Sequence, residues 1–145
     1  MKRSDSISKI SAALLKAQKS MATAKKDSAN PFFKSKYADL NAIREAVMPA
    51  LNENGITVLQ LINGNVVETV LLHESGEYIS SETNIVTVKD NDPQAYGSAV
   101  SYARRYGLQA ALCVGAEDDD AESVVRPNSQ RRTVKKSEIK AEEDF

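Results

Sequence analysis

Between residues 56 and 88 the chain reads ITVLQLINGNVVETVLLHESGEYISSETNIVTV. Two apolar, β-branched runs, ITVLQLI and VVETVLLH, meet across Asn63-Gly64. An Asn-Gly pair between such runs is a strong signal for a tight β-turn. ESGE then turns the chain into a third run, YISSETNIVTV. The expected product is a three-stranded antiparallel β-meander. Three strands with an apolar face are stable only when that face is packed. The remaining chain must supply the cover, so the expected fold class is α+β, a meander packed by helices.

Three helical patterns are available for that role. Ser4 or Ser6 can cap a first helix, in which Ile7, Ile10, Leu14, Met21 and Ala24 fall near one stripe and Lys9, Lys16, Lys19 and Lys25 lie largely off it. That pattern suits an amphipathic helix docked on the core, or one that packs on a neighbouring subunit. Pro31 forces an extended or turn conformation at Asn30. Asp39 can cap a second helix, LNAIREAVMPALNEN, with Leu40, Ile43, Val47 and Leu51 as its stripe. Pro49 is expected to kink it and Asn54-Gly55 to stop it. The third helix runs from about Pro93 to Cys113, with Asp92 as cap and Pro93 in its first turn. Its alanines make it narrow, so it is the natural cover for the sheet.

Cysteine and histidine counts exclude several chemistries. Cys113 and His73 are single occurrences, so no intrachain disulfide, cysteine zinc site or histidine triad can form. No Walker A loop is present and no cofactor is expected. No apolar run reaches the ~18 residues of a membrane span, so the expected location is the cytoplasm, without membrane partners. His73 reads as a strand-end residue and Cys113 as a small core residue. The net charge of −1 conceals a segregated layout. Residues 1–50 carry ten basic and four acidic groups; residues 51–92 carry one basic and seven acidic groups; residues 117–122 add five acids. Such a chain can present one basic and one acidic face.

At 100° per residue, Gln94, Ser98, Ser101, Tyr102, Arg105 and Gln109 share one polar side of the third helix. Tyr96, Val100, Ala103, Gly107 and Ala110 fall largely opposite and suit the core, with Arg104 at the boundary. Two adjacent arginines cannot share a face, so one can hold a phosphate while the other braces an acid. Aromatic rings, guanidinium groups and short polar donors are what single-stranded nucleic acid asks for. Phosphates need cations, bases need flat partners, and Ser or Gln can donate to backbone oxygens without reading sequence. A structural alternative pairs the arginines with Asp118–Asp120 and buries the tyrosines. NPFFKSKYADL adds a second cluster, in which Phe32, Phe33 and Tyr37 interleave with Lys34 and Lys36. There Phe32 and Phe33 can instead anchor the loop, leaving Lys36 and Tyr37 as the better contacts.

NPFFKSKYADLNAIREAVMPALNENG, followed by DPQAYGSAVSYARRYGLQAALCVGAEDDDAE, resembles the ERF (essential recombination function) family of phage single-strand annealing proteins. The likeness spans roughly residues 7–122. It implies a phage recombination protein that coats single-stranded DNA and anneals complementary strands without ATP. It also implies a β-β-β-α core and assembly into rings or filaments. The family's two blocks fall on Phe32, Phe33, Lys34, Ser35, Lys36 and Tyr37, and on Gln94, Gly97, Ser98, Tyr102, Arg104, Arg105 and Tyr106. The DNA-binding set expected is Lys34, Lys36, Tyr37, Gln94, Ser98, Tyr102, Arg104 and Arg105. Its partners would be single-stranded DNA, the annealed duplex intermediate and further copies of the chain. The alternative is an oligomeric assembly or scaffold protein without nucleic-acid chemistry.

Residues 1–116 read as the annealing domain and 117–145 as a charged, disordered tail, poor in large apolar residues. The acids Glu117–Asp120 point in different directions unless a tight loop turns them inward, so a metal-dependent nuclease is disfavoured and no enzymatic activity is expected. They suit pairing with a neighbouring protomer's arginines, or a solvated loop. Arg126, Arg131, Arg132, Lys135 and Lys136 could add nonspecific DNA affinity. The ending EEDF is loosely similar to the acidic, phenylalanine-ended tips of bacterial single-strand-binding proteins. It reads as a docking tip for a host single-strand-binding or recombination protein, or as a solvated terminus.

Overall fold

The computed structural model describes residues 1–26 and 39–114; of residues 22–26 it describes the backbone alone. In chain order they form β1 (Lys2–Arg3), α1 (Ser8–Lys26), α2 (Leu40–Glu53), β2 (Ile56–Asn63), β3 (Val66–His73), β4 (Tyr78–Asn84) and α3 (Pro93–Leu112). The sheet is antiparallel, in the order β1-β4-β3-β2. The meander therefore forms as β2-β3-β4, but the sheet has four strands. Lys2 and Arg3 pair with Ser80 and Ile79 along the outer edge of β4. Ser4 extends the attachment, accepting from the Tyr78 N–H at 3.0 Å through its hydroxyl.

The first hairpin turns one residue later than the Asn-Gly pair suggests. Asn63 pairs with Val66, leaving Gly64-Asn65 as a two-residue loop. Gly64 takes φ +61° and Asn65 stays outside the left-handed region, the pattern of a turn that needs glycine at its first central position. β4 stops at Asn84, four residues short of the apolar IVTV run's end. Ile85 still turns inward, with its N–H donating to the Asn65 carbonyl at 2.7 Å, while Val86 and Val88 face solvent.

One sheet face carries Ile56, Val58, Gln60, Val67, Thr69, Leu71 and Ile79, as the period-two alternation and the register require. All three helices cover it, not α3 alone. Ile10, Ala13, Ala17 and Met21 of α1 join Ile43, Ala46, Val47, Ala50 and Leu51 of α2, with Leu108 and Leu112 of α3 against Ile56 and Leu71. A smaller cluster of Val67, Ile85, Ala99 and Ala103 fills the space between α3 and the sheet. α3 is thus buried from two directions. That is why Leu108 and Leu112 are core, whereas Tyr96 and Ala110, expected inward, are exposed.

Helix ends follow their local chemistry in two cases. The Asp39 carboxylate accepts from the Ala42 N–H at 2.8 Å, and Asp92 accepts from Gln94 and Ala95 at 2.9 and 3.3 Å. Each such cap typically contributes about 1 kcal/mol. α2 continues through Pro49 and ends at Asn54, where Gly55 adopts φ +74°. α1 is different: neither Ser4 nor Ser6 is its principal cap. Glu77, in the β3–β4 turn, accepts from the Lys9 and Ile10 N–H groups at 2.9 and 3.0 Å. α3 closes in a Schellman arrangement, with N–H groups of Cys113 and Val114 donating to the Ala110 and Gln109 carbonyls. Cys113 occupies the left-handed position at φ +53°, which turns its side chain to solvent rather than into the core.

Candidate nucleic-acid interface

Gly107 sets how closely α3 lies on the sheet. A Cβ at this position would stand 2.8 Å from Thr69 Oγ1 and 2.9 Å from Thr83 Oγ1. With no side chain here, the helix can descend onto β3 and β4. One residue line away, Gln60 reaches up from β2. Its Nε2 donates to the Arg104 carbonyl at 2.8 Å and to Thr69 Oγ1 at 3.1 Å, while its Oε1 accepts from Arg104 Nε at 3.3 Å. Arg104 is thereby braced by an amide rather than by an acid, and it leans towards the sheet.

Arg105 faces the other way. Its guanidinium carbon lies 4.8 Å from the Tyr102 ring centre and 5.0 Å from that of Tyr106. The two rings are 6.1 Å apart and only 17° from parallel. Arg105 Nη2 also donates to the Tyr106 hydroxyl at 3.4 Å. Helical spacing explains the triad: positions 102, 105 and 106 are neighbours at i+3 and i+4. Both rings are more than half exposed, 54% for Tyr102 and 55% for Tyr106. Among the described residues neither arginine meets a carboxylate, the one ion pair found being Lys2–Glu82 at 3.7 Å. The guanidinium of Arg105 is held in place by ring faces, which leave its charge available to an anion.

Gln94 and Ser98 are exposed on the same helix and continue the polar line towards its N-terminus. The structure therefore brings Gln94, Ser98, Tyr102 and Arg105 onto one line, exposed at the first three and half-buried at Arg105, and sets Arg104 apart. Lys34, Lys36 and Tyr37 lie outside the described residues, as do Asp118–Asp120. Tyr96 stands at the opposite side of α3, its hydroxyl donating to the Gly64 carbonyl at 3.4 Å. Sequence reasoning missed Gln60. The signal was present: Gln60 is the one polar residue at an inward position of β2, between Val58 and Ile62. Tyr106, present in the family block but outside the expected contact set, belongs with Tyr102.

Among the described residues no cluster of His, Cys, Asp and Glu could hold a metal ion, and no helix is long and apolar enough to cross a membrane. No curated protein and no solved structure matches the chain. The family profile described as the ERF superfamily matches residues 10–144, reaching past Glu122, where the resemblance in the two sequence blocks ends. With nearly its whole length matched, the chain belongs to the ERF superfamily, a family of recombination and single-strand annealing proteins.

Proposed function

We propose that the protein binds single-stranded DNA and anneals complementary strands without ATP, in phage recombination within the host cytoplasm. The observation that carries this reading is the Tyr102–Arg105–Tyr106 triad, a half-buried cation fixed against two exposed flat rings with no carboxylate among the described residues to neutralise it. Arg105 would hold a phosphate, Tyr102 would stack on a base, and Gln94 and Ser98 would donate to neighbouring backbone oxygens. Arg104 and the segment bearing Lys34, Lys36 and Tyr37 would complete the groove.

Copies of the chain would join these surfaces into one continuous track. Phosphates would face the track and bases would stay open to a complementary strand. Annealing is then promoted by raising local strand concentration. No bond is made or broken.

Fluorescence anisotropy with labelled poly-dT at low and high salt tests the reading. Tight binding at low salt that weakens steeply as salt rises is expected. Salt-insensitive or undetectable binding would leave the alternative, an assembly protein without nucleic-acid contact. The uncovered face of the sheet, described next, is the observation that favours assembly.

A further inference from the structure

All three helices lie on one face of the sheet, and among the described residues no helix covers the other, where Ser80 alone is buried, between Val70 and Lys2. That second face carries Thr57, Leu59 and Leu61 of β2, Val70 and Leu72 of β3, and Tyr78 of β4. Leu59 is 40% exposed and Leu61 51%. Beside Leu61 the register sets Glu68 directly opposite Glu82. Lys2 reaches Glu82 at 3.7 Å, and Glu68 meets no cation among the described residues. Like charges placed opposite each other in a sheet repel. The face is thus apolar with an under-compensated acidic centre.

α1 presents the complement. It holds five lysines and no acid. Its buried line is Ile10, Ala13, Ala17 and Met21, and opposite that line stands Leu15, 54% exposed. Ser8 and Ala12 precede Leu15 along the same outer ridge, small enough for close approach, and Lys16 stands about a quarter-turn round the helix from it.

We propose that the α1 ridge of one copy packs on the open sheet face of the next, with Leu15 among Leu59, Leu61 and Leu72 and Lys16 towards Glu68 and Glu82. Charge decides the partner. Two sheet faces packed on each other would bring four carboxylates together, and two α1 ridges would oppose lysine to lysine; the mixed pairing removes both repulsions. The two surfaces lie on opposite sides of one protomer, so the contact is heterologous and each added copy leaves a fresh surface, which generates rings or filaments. This specifies the contact behind the assembly in the preceding reading and rests on it only for the expectation that copies associate.

The test uses the full chain without DNA, with mass measured by sedimentation velocity. Leu15→Glu places a carboxylate against the acidic face; Leu61→Lys places an ammonium against the α1 ridge. Each variant is expected to fall to the mass of a single chain, with its circular dichroism unchanged. Mixed together they are expected to form one-to-one pairs and go no further, because the α1 ridge of Leu61→Lys and the sheet face of Leu15→Glu are intact while the other surface of each is blocked. A wild-type chain that is itself single, a variant that keeps wild-type mass, or a mixture that stays single would each overturn the proposal. So would mass changes explained by residues 115–145 folding back on the sheet, which mixing would not reverse. If the leucine variants lose their fold, Lys16→Glu and Glu68→Lys decide: each alone should weaken assembly and the two in one chain should restore it, and absence of rescue overturns the contact. DNA affinity is read separately with poly-dT. Binding that persists while the assembly arms fail would remove this contact and leave the nucleic-acid reading standing.

Discussion

Gln60 Nε2 donates to the main-chain carbonyl of Arg104 at 2.8 Å, so a strand side chain and a helix backbone are joined at the point where the candidate interface begins. The same Nε2 also donates to the hydroxyl of Thr69, a residue only 1% exposed. Gln60→Leu keeps the volume and removes every one of these bonds. Leaving the Thr69 hydroxyl unpaired should cost about 1–3 kcal/mol. Urea unfolding should show a lower midpoint with an unchanged slope, and a midpoint equal to wild type would mean the bridge contributes nothing.

Gly107 gives a sharper contest between two effects. Alanine improves helix propensity by about 1 kcal/mol. Its methyl group, however, would meet two threonine hydroxyls at 2.8 and 2.9 Å, both on short side chains fixed to strands. Overpacking of this kind costs about 1–3 kcal/mol. Gly107→Ala should therefore lower the thermal midpoint, and Gly107→Val should lower it further. A higher midpoint for the alanine variant would show that α3 can lift off the sheet without penalty.

Arg105 and Tyr102 touch each other but should fail differently. Arg105→Ala removes a charge, so single-strand affinity should fall and the salt slope should flatten by about 0.7 for each lost phosphate contact. Tyr102→Ala removes a ring, so affinity should fall by about 1–3 kcal/mol with little change in slope. Anisotropy titrations at several salt concentrations separate the two. Identical slope changes in both variants would indicate that Tyr102 acts only by holding Arg105.

Glu77 tests whether α1 depends on its distant cap. Glu77→Ala leaves the Lys9 and Ile10 N–H groups without their acceptor and should cost about 1–2 kcal/mol. Glu77→Gln keeps an acceptor oxygen but loses the charge that favours a helix N-terminus, so an intermediate loss is expected. Denaturant melts of the three proteins give the ranking, and equal losses for both variants would assign the whole effect to charge.

Features governed by neighbours in sequence were legible, and features governed by distant neighbours were not. Gly64, Gly55, Asp39 and Asp92 act through a few adjacent residues, so the hairpin, the helix stop and two caps could be read directly. β1 is two residues long and exists only because β4 has a free edge; Lys2-Arg3 alone carries no pattern. The cap of α1 comes from Glu77, which no local rule for Ser4 or Ser6 could anticipate. The faces of α3 were misread at Tyr96 and Ala110 because a single stripe was assumed where α2 and the sheet approach from different sides. In the candidate site, the shared line of Gln94, Ser98, Tyr102 and Arg105 followed from helical periodicity. Arg104's brace did not, since it depends on the register of β2.

The acceptor for the start of α1 lies 67 and 68 residues downstream, in the β3–β4 turn. A chain made from its N-terminus thus produces this helix long before the group that closes its first turn exists. The two hairpins, whose partners are close in sequence, can form first. Docking of α1 then becomes the last step of folding, and pulsed hydrogen exchange should find its amides protected after those of the strands. Protection of α1 ahead of β3 would show that the helix persists without the carboxylate that ends up holding it.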